Sequence, residues 1–190
     1  ENRKLPKHLL KLSSSDTIKV WWVPILTRGK LHVECLSKSF PGEVEEAMPE
    51  FVAKVRAAVN IRFQGSSPPT TLFTDRGNGF YNSGSGAITA TYKAELRTHG
   101  LKAFFGDDAA TQPGKLQEIM LHETAVSWLR QRLTKTKPKE PWTESVDEYT
   151  ARLKRCAAHI NTKYDVDGLC RALPKRLKTL EERGGDRIST

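Results

Sequence analysis

Two carboxylates stand where a protein can most easily build chemistry. Asp75 closes the apolar run Thr70-Thr71-Leu72-Phe73-Thr74 and opens a loop with Gly77, Asn78, Gly79 and then Asn82 to Gly86. A carboxylate at a strand end is held by a rigid element yet stays open to solvent or a cation. The same place also suits an ordinary turn aspartate. Glu123 lies in Met120-Leu121-His122-Glu123-Thr124-Ala125-Val126, inside a stretch expected to be one amphipathic helix from Leu116 to Leu133. On a packed face it would need a partner or a cation. On a solvent stripe beside Arg130 and Gln131 it would need neither. Asp107-Asp108 follows the apolar Leu101 to Phe105 and reads as a metal pair or as a loop start. Glu118 is the alternative to Glu123, at a place where the helix dipole alone accounts for an acid.

Carboxylates delivered by two strand ends and a helix suit Mg²⁺ or Mn²⁺, which prefer oxygen ligands. Asp75, Asp108 and Glu123 are therefore the expected metal ligands. Two such ions support phosphoryl transfer by activating the attacking oxygen and stabilising the leaving one. His122-Glu123 opens like a zinc-protease motif, but that motif needs a second histidine where Val126 stands. The glycine-rich loop has no Gly-Lys-Ser/Thr after it, so it is weak as a phosphate cradle. Cys35, Cys156 and Cys170 show no Cys-x-x-Cys spacing. A disulfide scaffold or zinc ribbon is not expected, and a reducing compartment fits better.

The elements that must position these acids follow from periodicity. Ile18 to Leu26 and Leu31 to Cys35 read as two strands about the turn Thr27-Arg28-Gly29-Lys30, with Pro24 demanding an edge or a bulge. Residues 43–60 read as a helix with Val44, Met48, Phe51, Val52, Val55 and Val59 on one face. A strand at Thr70 to Thr74, a helix at Thr89 to His99 ending on Gly100, and a strand at Leu101 to Phe105 come next. After the Glu123 helix, Thr143 to Lys163 reads as a helix capped by Thr143, and a last helix starts near Pro174. Trp128 is expected in the core, at helical spacing from Leu121 and Ala125. The order β-β-α-β-α-β-α, then helices, predicts an α/β sheet. Its functional groups should collect past the carboxyl ends of the strands.

The chain has 190 residues and a net charge of +9, unevenly spread. Residues 1–39 carry a balance of +5, residues 40–125 of −2, and residues 126–190 of +6. Basic flanks around a slightly acidic middle suit a polyanion such as nucleic acid, or simply a solvated surface. Arg130, Arg132, Lys135, Lys137 and Lys139 divide between the same two readings. No apolar run is long enough to span a bilayer, so no membrane partner is expected. Residues 1–16 read as a basic arm or linker, 17–133 as the core and 134–190 as a helical extension.

At these residues the chain resembles DDE-superfamily transposases of the mariner type. Ile18-Lys19-Val20-Trp21-Trp22 through Gly29-Lys30-Leu31 looks like that family's second and third strands. Thr70 to Asp75 looks like the strand ending in its second acid. Gly100 to Phe105, Gln112-Pro113-Gly114 and the Glu123 helix look like the strand, loop and helix of its third. Leu173-Pro174-Lys175-Arg176-Leu177 through Arg183-Gly184-Gly185 is similar to its closing helix. The resemblance implies an RNase H-like mixed sheet, a nuclear protein of a transposable element, Mg²⁺ or Mn²⁺, and DNA cleavage and integration by Asp75 and Glu123. It implies phosphate contacts from Arg76, Lys115, Arg130, Arg132, Lys135 and Lys137, and admits a homo-oligomer. Three departures accompany it. Nothing fits the strand bearing the family's first aspartate, which would lie upstream; Asp16 ends a serine-rich linker. The spacing from Asp75 to Glu123 is longer than usual, and Asp108 or Glu118 is closer to it. Gln112 to Gln117 replaces the family's Ser-Pro-Asp-Leu-Asn-Pro run. The alternative is a domesticated, non-catalytic nucleic-acid-binding domain, and a third reading makes the C-terminal helices a protein-interaction module.

Overall fold

The computed structural model describes residues 20–37, 43–75, 77, 79–108, 120–140 and 143–184. The basic arm, Arg76, Lys115, Gln112 to Gln117, Glu118 and Trp142 lie outside them.

The first two strands, β1 (Trp21–Thr27) and β2 (Lys30–Leu36), form an antiparallel hairpin. The turn between them works because Gly29 takes φ +75, a region costly for residues with a Cβ. Strand periodicity then splits the side chains between two cores. Ile25 and Leu36, with Trp21 and Val23, pack against the helix α1 (Val44–Arg62). Leu31 and Val33, with Trp22, Leu26 and Cys35, face the opposite way. A two-stranded hairpin is marginal alone, so helices on both faces supply the burial that holds it.

The first core is completed by β3 (Thr71–Leu72), α2 (Ala90–Thr98) and β4 (Lys102–Ala103). Thr89 caps α2 by accepting from the Tyr92 N–H, and Gly100 follows the helix with φ +63. The second core is built by α3 (Leu121–Lys135), α4 (Val146–Lys163) and α5 (Val166–Arg171), through Ala125, Leu129, Leu153, Ala157, Ile160 and Val166. A short α6 (Leu173–Glu182) follows, with Pro174 in its first turn and no buried residue. The helical extension therefore shares its core with β2 and α3. Trp128 is half-buried, stacked on Tyr164 with ring centroids 4.5 Å apart, and packs against that core.

The chain is mixed α/β, and the expected order of elements is present. The expected continuous sheet is not. β1 pairs only with β2, and β3 only with β4 in parallel, giving two separate two-stranded sheets among the described residues. The strands at 70–74 and 101–105 shorten to two residues each. The α4 cap is Ser145 rather than Thr143. Ser145 and Glu148 bond each other's backbone N–H in a capping box, whereas the residue three after Thr143 is Val146, which cannot reciprocate.

Tyr92 is fully buried, and its hydroxyl has no hydrogen-bond partner of sound geometry among the described residues. Removing an unsatisfied buried hydroxyl gives up no net bond. Tyr92→Phe is therefore expected to shift the unfolding free energy by less than about 1 kcal/mol, checked by urea titration. A loss of several kcal/mol would show that the hydroxyl is bonded.

Candidate functional site

Asp75 sits just beyond β3 and is exposed. Its Oδ1 accepts from the Gly77 N–H at 3.2 Å. A Cβ at position 77 would lie 2.9 Å from that oxygen, nearer than side-chain carbons normally come. Gly77 is thus a positioning residue: only glycine lets the backbone close on the carboxylate without displacing it. Gly77→Ala should swing the Asp75 carboxylate out of this turn, and proton chemical shifts at position 77 would report it.

Glu123 is the third residue of α3, in its first turn, and its N–H donates to Met120 at 2.9 Å. It is exposed. The sequence placed it mid-helix and weighed a packed face. The described helix begins at Leu121, and the packed positions are Leu121, Ala125, Val126 and Leu129. The spacing from 121 to 125 and 129 puts position 123 on the solvent side. The helix dipole alone can favour an acid there.

A residue within electrostatic reach of both acids is His122, which the sequence singled out only to reject as half of a zinc motif. It is half-buried. Burial lowers its pKa, while the nearby charges of Glu123 and Asp75 pull the other way. The first effect is the larger, so the ring is neutral at pH 7. His122 also lines two cavities. A groove of about 900 Å³ runs along Trp21, Trp22, His122, Glu123 and Arg130. An apolar slot of about 750 Å³ counts Asp75 and His122 among its lining residues. Neither cavity is lined by both acids.

Because its folded pKa is depressed, His122 contributes stability that is fully present above about pH 6.5, the unfolded value. That contribution is lost as pH falls through the folded value, since the unfolded chain binds the proton first. His122→Asn is expected to flatten this part of the stability-against-pH curve, measured by urea titrations between neutral and mildly acidic pH. His32 is lowered in the same direction, by burial and by Lys30, so part of the slope remains. An unchanged slope would show that His122 is not shifted.

Asp108 is exposed and sits in an isolated antiparallel bridge with Ala87, while its neighbour Asp107 is ion-paired with Lys93. Among the described residues, no three His, Cys, Asp or Glu side chains gather closely enough to hold a metal ion. Asp75, Glu123 and Asp108 as they stand do not complete a Mg²⁺ or Mn²⁺ site. Of the expected phosphate contacts, Arg130 lines the groove and is exposed, Lys135 and Lys137 are exposed, and Arg132 is half-buried. The three thiols are free and far apart in role: Cys35 lies against Thr150, Cys156 against Thr136, and Cys170 against the Thr27 carbonyl. No helix among the described residues is long and apolar enough to cross a membrane. No family model, no curated protein and no solved structure matches the chain.

Proposed function

We propose that the chain is the core of a transposase-type DDE endonuclease, RNase H-like in plan and acting on DNA in the nucleus, with Asp75 and Glu123 as two of its three acids. The observation that carries the reading is a half-buried, neutral imidazole, His122, within electrostatic reach of both Asp75 and Glu123, in a groove that also holds Glu123 and Arg130. Arg130, Lys135 and Lys137 on the exposed side of α3 and its exit would bind phosphate. The acids would repel it until a cation intervenes. Mg²⁺ or Mn²⁺, held by Asp75 and Glu123 together with a third carboxylate from outside the described residues, would supply Lewis-acid activation of the phosphodiester. His122, uncharged, leaves the negative potential of the acids available to such a cation.

The test is metal-dependent nicking of supercoiled DNA by this chain and by a longer one carrying polypeptide N-terminal to Glu1. The longer chain should cleave, and Asp75→Asn or Glu123→Gln should lower its rate by at least about 100-fold, more than loss of a residue that merely orients a ligand. Cleavage that survives both substitutions would end the proposal.

A second reading, a domesticated DNA-binding domain without catalysis, is favoured by the separation of Asp75 and Glu123 into different cavities. It is supported if the longer chain binds DNA and never cleaves it. In either case Arg130→Gln should reduce the slope of log affinity against log salt by about 1, measured by fluorescence anisotropy. A slope that does not move would remove Arg130 from the DNA surface.

A further inference from the structure

We infer that the aromatic stack of Trp128 and Tyr164 is a binding site for single-stranded DNA, with one base laid on the outer face of the tyrosine. The two rings lie 15° from parallel, with centroids 4.5 Å apart. Trp128 packs against the second core, whereas Tyr164 keeps 37% of its surface exposed. Trp128 covers one face of the tyrosine, which leaves the exposed surface on the other face and the edges. The backbone holds the ring in place. The Tyr164 N–H donates to the Ile160 carbonyl at 3.0 Å, and the Tyr164 carbonyl accepts from Val166 at 2.9 Å. A ring fixed in this way loses little freedom when another flat ring settles on it.

Phosphates would find cations beside the stack. The Thr136 hydroxyl meets the Cys156 thiol at 3.3 Å while Trp128 meets Tyr164, so α3 and α4 run antiparallel. Arg132 and Lys135 follow Trp128 on its own side of α3, about 6 and 10 Å further along the helix. On α4, Arg152 and Cys156 turn towards α3, at the Leu133 carbonyl and at Thr136. Arg155, His159 and Lys163 continue from Arg152 at helical spacing and end beside Tyr164. Neither stripe contains an acid. Asp165, next to the ring, accepts from the Gly168 N–H at 2.7 Å and lies 3.8 Å from Arg171. Two basic stripes thus converge on one exposed aromatic face. That is the chemistry of a single-strand site, where cations track the backbone and a ring takes a base.

A duplex fits this surface less well. Its bases are stacked on one another, so it would meet the cations and leave the ring idle. The site is also separate from the groove. Trp128 and Tyr164 line neither cavity, and Glu123, Ser127 and Arg130 face the groove from another flank of α3. The choice of DNA rests on the function proposed above, whereas the stacking does not depend on it.

The probe is a fluorescein-labelled strand of about 12 thymidines, within the span that one such site covers. It is titrated with the full chain and read by fluorescence anisotropy. Tyr164→Ala should weaken binding at least about fivefold, and Tyr164→Trp should keep it. A strand of equal length with abasic sugars should bind the parent at least about fivefold more weakly than thymidine does. The same loss of bases should make no difference to Tyr164→Ala, which has no ring to receive them. Lys163→Gln should lower the slope of log affinity against log salt by about 0.7. The inference is overturned if Tyr164→Ala binds like the parent, or if removing the bases costs both proteins equally. It is also overturned if Tyr164→Ala weakens a duplex as much as the single strand. A uridine strand held more tightly than thymidine overturns the choice of DNA. Binding through Tyr164 by a chain that never nicks DNA supports this site and counts only against cleavage.

Discussion

Leu129→Ala is expected to lower the unfolding free energy by about 2–5 kcal/mol, read by urea titration. Leu129 has no exposed surface and sits among Leu31, Val33, Leu153 and Ile160. Truncation removes its transfer free energy and leaves a cavity that the packed groups of β2 and α4 fill only in part. Against a typical domain stability of roughly 5–15 kcal/mol, that is a large share. The effect reaches the candidate site because α3 carries His122 and Glu123 two turns before Leu129. Ile61→Ala, at a position 64% exposed, is the control and should change stability by no more than about 0.5 kcal/mol. Equal losses at the two positions would contradict the assignment of the second core.

The second large effect lies at the start of α4. Arg152 and Glu144 form a two-pronged ion pair with both contacts at 2.6 Å, and their side chains are only 11% and 10% exposed. Arg152 also donates to the Leu133 carbonyl at 3.2 Å and lies over the Tyr149 ring. Glu144→Gln strands that guanidinium among packed groups, with an expected loss of about 3 kcal/mol, at the low end for breaking a buried pair. The hydrogen bonds from Arg152 hold the Glu144 carboxyl below the usual carboxylate range. A depressed carboxylate contributes stability above its unfolded pKa of about 4.3 and loses it as pH falls through the lower folded value. The parent and Glu144→Gln stability curves should therefore converge in acid and diverge on returning to neutrality. Curves that stay parallel at all pH values would mean that the pair is not the source of the loss.

The elements that periodicity specifies strongly were legible. Seven core positions of α1 recur at helical spacing, from Ala47 to Val59, and the α2 cap and its terminal glycine are local signals. The hairpin was legible through Gly29 and the alternation of Leu31, Val33 and Cys35. Pro24 correctly marked an edge strand, since its missing N–H faces away from β2. What local patterns could not convey was pairing between distant segments. The run from Thr70 to Thr74 looks the same whether one or two neighbours flank it, so the split into two sheets was invisible. Glu123 was misplaced because the apolar residues before Leu121 extended the helical pattern upstream. His122 was undervalued because one of the charges acting on it, Asp75, is distant in sequence. Ser145 and Glu148 were there to be read, and the capping-box spacing would have placed the α4 start correctly.

The hairpin that opens the chain has a consequence for cooperativity. Each of its strands lends one face to the first core and the other to the second. Neither core can melt without stripping the hairpin of half its support, so the two clusters are expected to unfold as one unit. Trp21 reports on the first cluster and Trp128 on the second. Single-tryptophan variants at these two places should trace superimposable denaturation curves. Loss of order on one side of the hairpin would then reach the other through the strands themselves.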